Sequence, residues 1–338
     1  MLKKFIDYLI DFIKEEYKFI FLLILLFIIC VYPVNYYIIT GGGISDVSSR
    51  IDVSNNEKIK GSFNISYVEE LEGTLLTYGL SYVIPTWERD SANNYKYESS
   101  ESIADIDFRN DLDLKVANEN AIYWAYSLAN KKVEKISSKV YVIMTDDKKY
   151  KNPLKVQDEL ISIDGNNYDN SNDYKNYIQT KNKGDKVIIK IKRKNVEKNL
   201  SCTIYENNNK KLIGVGLQAL NNYKTDPKIK IKFKKSESGP SGGLITTLEI
   251  YNQLTKKDLT KGYTIAGTGT IESDGTIGQI GGIKYKILGA EKSKADYFLV
   301  PDGENYIEAK KYVKEKNMKI KLIKVKNIKQ AISKLNNL

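Results

Sequence analysis

One serine and one lysine stand in motifs that could together perform nucleophilic chemistry. Ser241 lies in the run Gly-Pro-Ser-Gly-Gly, residues 239–243, and Lys286 ends the run Gly-Gly-Ile-Lys-Tyr-Lys, residues 281–286. A serine hydroxyl becomes a good nucleophile only when a neighbouring base takes its proton, and this chain contains no histidine. A lysine amine is the remaining candidate base, so the sequence predicts a Ser-Lys pair.

The segment around Lys286 meets the conditions that a lysine base requires. An ordinary lysine has a pKa of about 10.4 and is charged near neutrality, so its surroundings must disfavour the ammonium. The glycine pair before it predicts a tight turn, and residues 284–292 then predict a helix with Lys286 near its first turn. The positive end of the helix dipole and apolar neighbours such as Ile283 and Ile287 both lower the pKa of an amine placed there.

The segment around Ser241 suits the other half of the reaction. A Gly-Pro turn passes into an apolar run, residues 244–251, that predicts a helix. The free backbone N–H groups at such a helix start can hold an oxyanion, and Gly242 and Gly243 allow close substrate approach. Gly239 and Gly242 are the predicted oxyanion and substrate loop. Taken alone, each motif is also consistent with a capped helix or a solvated lysine, and it is their combination that favours catalysis.

The order of motifs over residues 207–338 resembles the proteolytic domain of Lon-type serine proteases. Between the two motifs lie Thr-Gly-Thr-Ile, residues 268–271, and Gly-Gln-Ile-Gly-Gly, residues 278–282. The resemblance implies that the serine after Gly-Pro is the nucleophile and that the second lysine of the last motif is the base. It also implies that Thr268 helps to orient this lysine.

Two positions depart from the pattern of that family, and one associated motif is missing. Gly242 stands where alanine is common, and Ser238 stands where some members carry an acid. The chain contains no Gly-x-x-x-x-Gly-Lys-Ser/Thr phosphate loop, so we expect no ATP requirement and no cofactor. Without histidine, and with Cys30 and Cys202 far apart in the sequence, we expect no metal site.

The N-terminal segment predicts a membrane anchor. Residues 19–39 are almost wholly apolar, which is long enough for a helix across a hydrocarbon core of about 30 Å. Lysines precede this span and the first basic residue after it is Arg50, so we expect the N-terminus in the cytoplasm and the rest outside. A cleaved signal peptide is the alternative, disfavoured by the acidic leader and the missing Ala-x-Ala site. Residues 1–18 predict an amphipathic helix on the inner membrane face.

Two regions separate the anchor from the protease-like domain. Residues 40–137 are predicted to be an extracytoplasmic linker and packing region. Residues 40–56 predict a Gly- and Ser-rich linker. Polar and apolar residues alternate over residues 62–68, as in a half-buried strand, and residues 112–133 carry an apolar helical face. Residues 138–206 resemble a PDZ domain, chiefly through Leu-x-Val-x-Asp-x-Leu-Ile-x-Ile-Asp-Gly. Such a domain either accepts an extended peptide as an added strand or serves only as a scaffold.

The predicted fold class is α/β and α+β multidomain, with an N-terminal transmembrane helix, a PDZ-like β-rich domain and a C-terminal Lon-protease-like α/β domain. This order resembles the membrane-anchored PDZ-Lon serine proteases of Gram-positive bacteria. The resemblance implies an ATP-independent serine endopeptidase that cleaves exported proteins or peptides at the outer face of the cell membrane, and it extends to self-association by analogy with ring-forming Lon-like domains.

Two other classes of function compete with this prediction. A catalytically silent adaptor would use the PDZ-like groove to bind exported peptides without cutting them. A basic surface protein would bind anionic lipid or nucleic acid through the net charge of +11. The lysines are scattered along the chain rather than clustered, which favours a solvated surface, and we expect no nucleic-acid partner.

Overall fold

The computed structural model describes residues 2–53, 60–96, 101–232 and 239–338. These residues form two compact units, Met1–Gly41 with Val68–Tyr95, and Gly42–Tyr67 with Lys96–Leu338. The helices are α1 (Leu2–Val31), α2 (Leu75–Leu80), α3 (Ile103–Leu128), α4 (Ser171–Gln179), α5 (Gly243–Thr255), α6 (Ile283–Lys292), α7 (Glu304–Glu315) and α8 (Ile328–Asn336).

The strands divide between a sheet in the C-terminal half, a sheet in the PDZ-like region and short pairs. They are β1 (Pro33–Asp46), β2 (Ile51–Val53), β3 (Ser62–Thr74), β4 (Glu88–Ser91), β5 (Lys132–Thr145), β6 (Glu159–Ile163), β7 (Lys186–Arg193), β8 (Val196–Thr203), β9 (Tyr205–Asn207), β10 (Lys210–Leu212), β11 (Val215–Asp226), β12 (Ile229–Ile231), β13 (Thr264–Gly267), β14 (Thr270–Ile271), β15 (Ile277–Gly278), β16 (Tyr297–Pro301) and β17 (Lys321–Val325).

The first unit contains one long helix followed by paired strands. Helix α1 ends at Val31 because Pro33 has no N–H to donate and disfavours the helical conformation at Tyr32. Strand β1 then pairs antiparallel with β4, from Tyr36 opposite Ser91 onward. Thr74 caps α2 through a reciprocal hydrogen-bond pair with Thr77.

The transmembrane helix predicted over residues 19–39 is wrong in its bounds. The second part of that segment, from Pro33, is strand rather than helix, because the proline ends α1. Within the described part of the chain, no helix has both the length and the apolar content that crossing a bilayer demands. The segments predicted as leader and anchor instead share the single helix α1, whose large apolar side chains from Phe19 to Val31 are largely exposed.

The C-terminal half of the second unit is an α/β layer structure. Its strands follow the order β17-β16-β13-β3-β1, and β13 pairs in parallel with both β16 and β3. Successive residues of a strand face opposite sides of the sheet, so Ile265 joins a core with α5 and α8 while Ala266 joins a core with α6 and α7. The helices that carry the two motifs therefore lie on opposite faces of one sheet.

The linker predicted over residues 40–56 is wrong for the part that the structure describes. Strand β1 continues to Asp46, and β2 pairs antiparallel with β12, far along the chain. Val47, Ile51 and Val53 are buried in the main core. Small residues here reflect close packing rather than flexibility, because a Cβ on Gly42 would lie 2.6 Å from the carbonyl oxygen of Tyr67. Residues 54–56 of the predicted linker lie outside the described residues.

The PDZ-like region is a five-stranded sheet, in the order β11-β5-β6-β7-β8, packed against α4. The ion pair between Arg193 and the buried carboxylate of Asp158, at 2.7 Å, ties the end of β7 to the turn before β6. The boundary predicted at residues 206/207 is wrong, because β11 pairs with β5 from Val215 to Asp226 and so completes this sheet. The polar segment that indicated a boundary is the β9-β10 hairpin, with left-handed Asn208 and Asn209 at its turn.

Helix α3 contacts both α5 and the strands β5 and β11 of the PDZ-like sheet. It begins after Ser102, whose side chain forms a capping box with Asp105, so it starts nine residues before the predicted helix. Ile122, Trp124 and Leu128, the predicted apolar face, pack against the main core. The predicted helical face is thus part of the second unit, whereas residues 68–95 of the predicted packing region belong to the first unit.

Candidate active site

Ser241 lies in the turn that leads into α5, and the segment between β13 and β14 holds this turn through two backbone hydrogen bonds. The backbone N–H of Gly269 donates to the carbonyl oxygen of Ser241 at 2.8 Å, and the N–H of Leu244 donates back to the carbonyl oxygen of Gly269 at 3.0 Å. Gly239 has a φ of +80°, which favours glycine at the start of the turn. The serine is half-buried, at the N-terminus of a helix that is largely buried.

Lys286 lies in the first turn of α6, as its motif predicts. Gly282 precedes the helix in the left-handed conformation, with a φ of +69°. The side chain of Lys286 enters the interior, and the residue is only 5% exposed. The backbone of Lys286 is also held, because the hydroxyl of Ser66 in β3 donates to its carbonyl oxygen at 2.7 Å. The amine therefore occupies a dry position, where burial opposes its charged form.

The structure brings three of the predicted site residues together. Nζ of Lys286 lies 2.8 Å from Oγ of Ser241 and 3.1 Å from Oγ1 of Thr268. The Thr268 hydroxyl in turn donates to the carbonyl oxygen of Ser241 at 3.1 Å and is fully buried. A neutral amine in this arrangement can accept the serine proton, while the threonine fixes the direction in which the amine points.

The two glycines predicted for the oxyanion loop differ in what they offer. The N–H of Gly239 donates to the carbonyl oxygen of Asn110 in α3 at 3.4 Å, so this residue anchors the turn rather than facing a reacting carbonyl. Among the described residues, no acceptor pairs with the N–H groups of Ser241 or Gly242, which stand at the start of α5. Two adjacent free donors at a helix start suit a developing oxyanion. Ser238 lies outside the described residues.

Two neighbours of the site, Ile65 and Ser66, lie in β3, and no sequence motif of the site includes them. Ser66 fixes the backbone of the lysine helix, and the side chain of Ile65 lies against Gly242. The alternation of residues 62–68 predicts a strand, yet nothing in that pattern links it to a serine about 175 residues later. The parallel pairing of β3 with β13, which puts Ile65 opposite Gly267, makes this link.

Helix α5 also contains a buried acid, Glu249, two turns after the serine. Burial raises the pKa of Glu249 from 4.5 to about 7, although Gln253 donates to one carboxylate oxygen at 2.6 Å and partly offsets this. Its other oxygen has no hydrogen-bond partner among the described residues. The folded protein therefore holds this proton more tightly than the unfolded chain does.

We expect the replacement Glu249→Gln to stabilise the protein at alkaline pH. Because the folded pKa is raised, Glu249 costs no stability below about pH 4.5, and its cost grows as the pH rises toward 7. A shift of this size corresponds to at most about 3 kcal/mol, so Glu249→Gln should exceed wild type by up to that amount at pH 8 and match it at pH 4. Urea unfolding at both values measures the difference. Glu315→Gln, at an exposed carboxylate, is the control, and equal pH dependence of all three proteins would contradict the expectation.

Comparisons with known proteins match two separate segments of the second unit to two protein families. Residues 226–336 match the family model of the Lon protease (S16) C-terminal proteolytic domain, and residues 130–204 match that of the PDZ domain. The Lon protease of Aster yellows witches'-broom phytoplasma (strain AYWB) is 31% identical over 99 residues, which are 29% of this chain and 12% of that protein. The chain thus spans only a small part of that relative's length. Ser241, Thr268 and Lys286 all fall within the first match.

Two solved structures are similar to the PDZ region. They are the PDZ domains of SdrC-like proteins from Listeria monocytogenes and Listeria innocua, each 27% identical with a TM-score of 0.21. Each covers 23% of this chain, and the matched parts are 85% and 92% of those chains.

Proposed function

We propose that this chain, a serine peptidase with a PDZ domain followed by a Lon-type proteolytic domain, cleaves peptide bonds with Ser241 as nucleophile and Lys286 as base. The observation that carries the assignment of these roles is the 2.8 Å contact between Nζ of Lys286 and Oγ of Ser241. Support comes from the burial of the amine, because a lysine acts as a base only when its surroundings disfavour the ammonium.

In the proposed reaction, the neutral amine of Lys286 takes the hydroxyl proton as Oγ of Ser241 forms a bond with the substrate carbonyl carbon. The carbonyl electron pair moves to its oxygen, which the N–H groups of Ser241 and Gly242 stabilise. The C–N bond then breaks, and the leaving amine receives the proton from the lysine ammonium. Water attacks the acyl-enzyme with the same lysine as base, which releases the new carboxyl end and restores the serine.

Hydrolysis of this kind needs no nucleotide, so we propose that the enzyme is independent of ATP. The chain has no phosphate loop, and each step above uses groups that the proteolytic domain itself supplies. Thr268 is the residue that we propose to orient the lysine, because its hydroxyl contacts both the amine and the backbone of the serine.

The substrates that we propose are exported proteins or peptides cut at a membrane surface. The exposed apolar side chains of α1, among them Phe21 at 66%, favour an N-terminus in contact with lipid. The PDZ region supports peptide capture, because β11 is the edge strand of its sheet and lies beside α4. An extended peptide can pair with an edge strand of a sheet.

A serine-directed fluorophosphonate probe tests the proposed function. Wild-type protein should become labelled at Ser241 and should cleave peptides from a mixed library, as mass spectrometry of the products would show. Peptide binding without labelling or turnover would instead indicate the adaptor function, with the β11 edge as its binding surface. Labelling at another residue, with turnover intact in Ser241→Ala, would overturn the assignment of the nucleophile.

The proposed base also makes the rate depend on pH. Only the neutral amine accepts a proton, so kcat/KM should rise with pH as the Lys286 ammonium deprotonates. The initial rate of cleavage of one library peptide, measured from pH 5 to pH 10, gives the profile. A flat profile over this range would exclude a lysine base.

A further inference from the structure

One apolar side chain that packs against the turn carrying Ser241 comes from outside the matched proteolytic segment. Ile65 lies in β3, directly opposite Gly267 in the parallel pair, and it is half-buried against the main core. A Cβ built on Gly242 would lie 2.7 Å from Cδ1 of Ile65, with Cγ1 and Cγ2 of the same residue at 3.3 and 3.5 Å. Ile65 therefore occupies the space that a side chain after the serine would take.

The backbone of Gly242 does not itself require glycine. Its φ of −89° and ψ of −4° are available to alanine, and alanine there would otherwise stabilise the fold by restricting the unfolded chain. All three atoms nearest to the added Cβ belong to Ile65. Gly242 and Ile65 thus form a matched pair, in which the absence of one side chain makes room for the other.

We propose that Ile65 is a specificity-determining residue, the apolar wall against which the substrate side chain on the acyl side of the scissile bond packs. This inference rests on the proposed function. The reacting carbonyl must reach Oγ of Ser241 with its oxygen toward the N–H groups of Ser241 and Gly242, and Gly242 offers no side chain there. The lysine and threonine supply the polar side of the site, and Ile65 supplies an apolar surface beside Gly242.

The wall has two consequences for the substrate. A wall made of methyl and methylene groups favours an apolar substrate residue over a charged one, because a charge against it would lose hydration without gaining a partner. Because Ile65 fills the space beside Gly242, it also limits the size of that residue. Shortening Ile65 should therefore admit larger side chains.

Thermal unfolding of the full chain tests the packing of the pair. Gly242→Ala should lower the melting temperature by about 5 °C, as overpacking of a core does. In the Ile65→Ala background, the same Gly242→Ala substitution should leave the melting temperature unchanged or raise it. An equal loss in both backgrounds would show that Ile65 is not the residue that excludes a side chain at 242, and it would overturn the proposal.

Cleavage profiling of the full chain tests the specificity role. Peptides derived from a digested proteome are cut by wild type, Ile65→Ala and Ile323→Ala, and mass spectrometry gives the residue on the acyl side of each cut. Ile323, a half-buried isoleucine of the same core in β17, is the matched control. Ile65→Ala should shift the preference from small apolar residues toward leucine and phenylalanine by about tenfold.

The outcomes separate this inference from the proposed function. Turnover with the same profile in wild type and Ile65→Ala overturns the specificity role alone, as does an equal shift in Ile323→Ala. A wild-type chain that cleaves no peptide and takes no serine probe overturns both. The proposal is supported if the cleavage preference shifts only in Ile65→Ala and if Gly242→Ala no longer lowers the melting temperature in the Ile65→Ala background.

Discussion

Replacement of Ser241 by alanine should abolish peptide cleavage while leaving the protein folded. Loss of a nucleophile or its base in a serine protease lowers kcat on the order of 10⁴–10⁶-fold. Because Ser241 is half-buried in a turn held by backbone hydrogen bonds, the removal of one hydroxyl should change the melting temperature little. Steady-state cleavage of a library peptide, with circular dichroism on the same samples, measures both quantities.

The same loss is expected for Lys286→Met, which keeps the length of the side chain and removes the amine. Lys286→Arg should be equally inactive, because a guanidinium does not deprotonate in proteins. Lys284→Met is the matched control, since Lys284 belongs to the same motif but is exposed and pairs with Glu308 at 3.3 Å. Activity retained in Lys286→Met, or lost equally in Lys284→Met, would contradict the role of Lys286 as base.

Removal of the N-terminal strands should abolish peptide hydrolysis as completely as the replacement of Ser241 does. A fragment of residues 103–338 contains both matched domains and all three of Ser241, Thr268 and Lys286, yet it lacks β3. We expect it to hydrolyse no peptide and to lose the cooperative unfolding of its proteolytic half, because β13 would lose its parallel partner and Lys286 its hydrogen bond from Ser66.

The loss of folding stability in this fragment can be estimated from the buried side chains that it lacks. Val47, Ile51, Val53 and Phe63 are almost completely buried in the main core. At about 1.5–3 kcal/mol for each buried apolar side chain, their removal costs roughly as much as the whole stability of a typical domain, about 5–15 kcal/mol. A fragment of residues 42–338, which keeps all four, is the control and should remain active. Peptide hydrolysis and a cooperative thermal transition in both fragments would contradict the expectation.

Local motifs in the sequence predicted the two helices of the site and the chemistry of their residues. The glycine pair before Lys286 indicated a helix start, and α6 begins at Ile283, one residue before the prediction. The resemblance to a Lon-type proteolytic domain and to a PDZ domain is confirmed by the family matches, although the domain limits derived from it at residues 206/207 are wrong. The catalytic roles of Ser241 and Lys286 stay predictions until the variants are measured.

In two segments, composition by itself does not predict the conformation. Glycines at residues 41–43 indicated a linker, but Gly42 and Gly43 lie against Gly289 of α6, with backbone atoms within 3.0 Å of the position of a Cβ there. An apolar run indicated a membrane helix to residue 39, but Pro33 ends α1 and the following residues pair as a strand. In the first segment long-range packing overrides the local preference, and in the second the proline itself ends the helix.

The sequence by itself determined the reactive groups: a hydroxyl, an amine and no imidazole, each in a glycine-rich turn before a helix. Only the tertiary structure decided that these groups meet and what surrounds them. Ser241 lies just before α5 and Lys286 lies in α6, and these two helices cover opposite faces of one sheet. Strand β3, separated from β13 by about 200 residues, contacts Gly242 through Ile65 and Lys286 through Ser66. Local patterns predict which residues favour a strand, but the partner of that strand depends on burial across the whole fold. For this reason, only the structure shows that Ile65 and Ser66 lie beside the site.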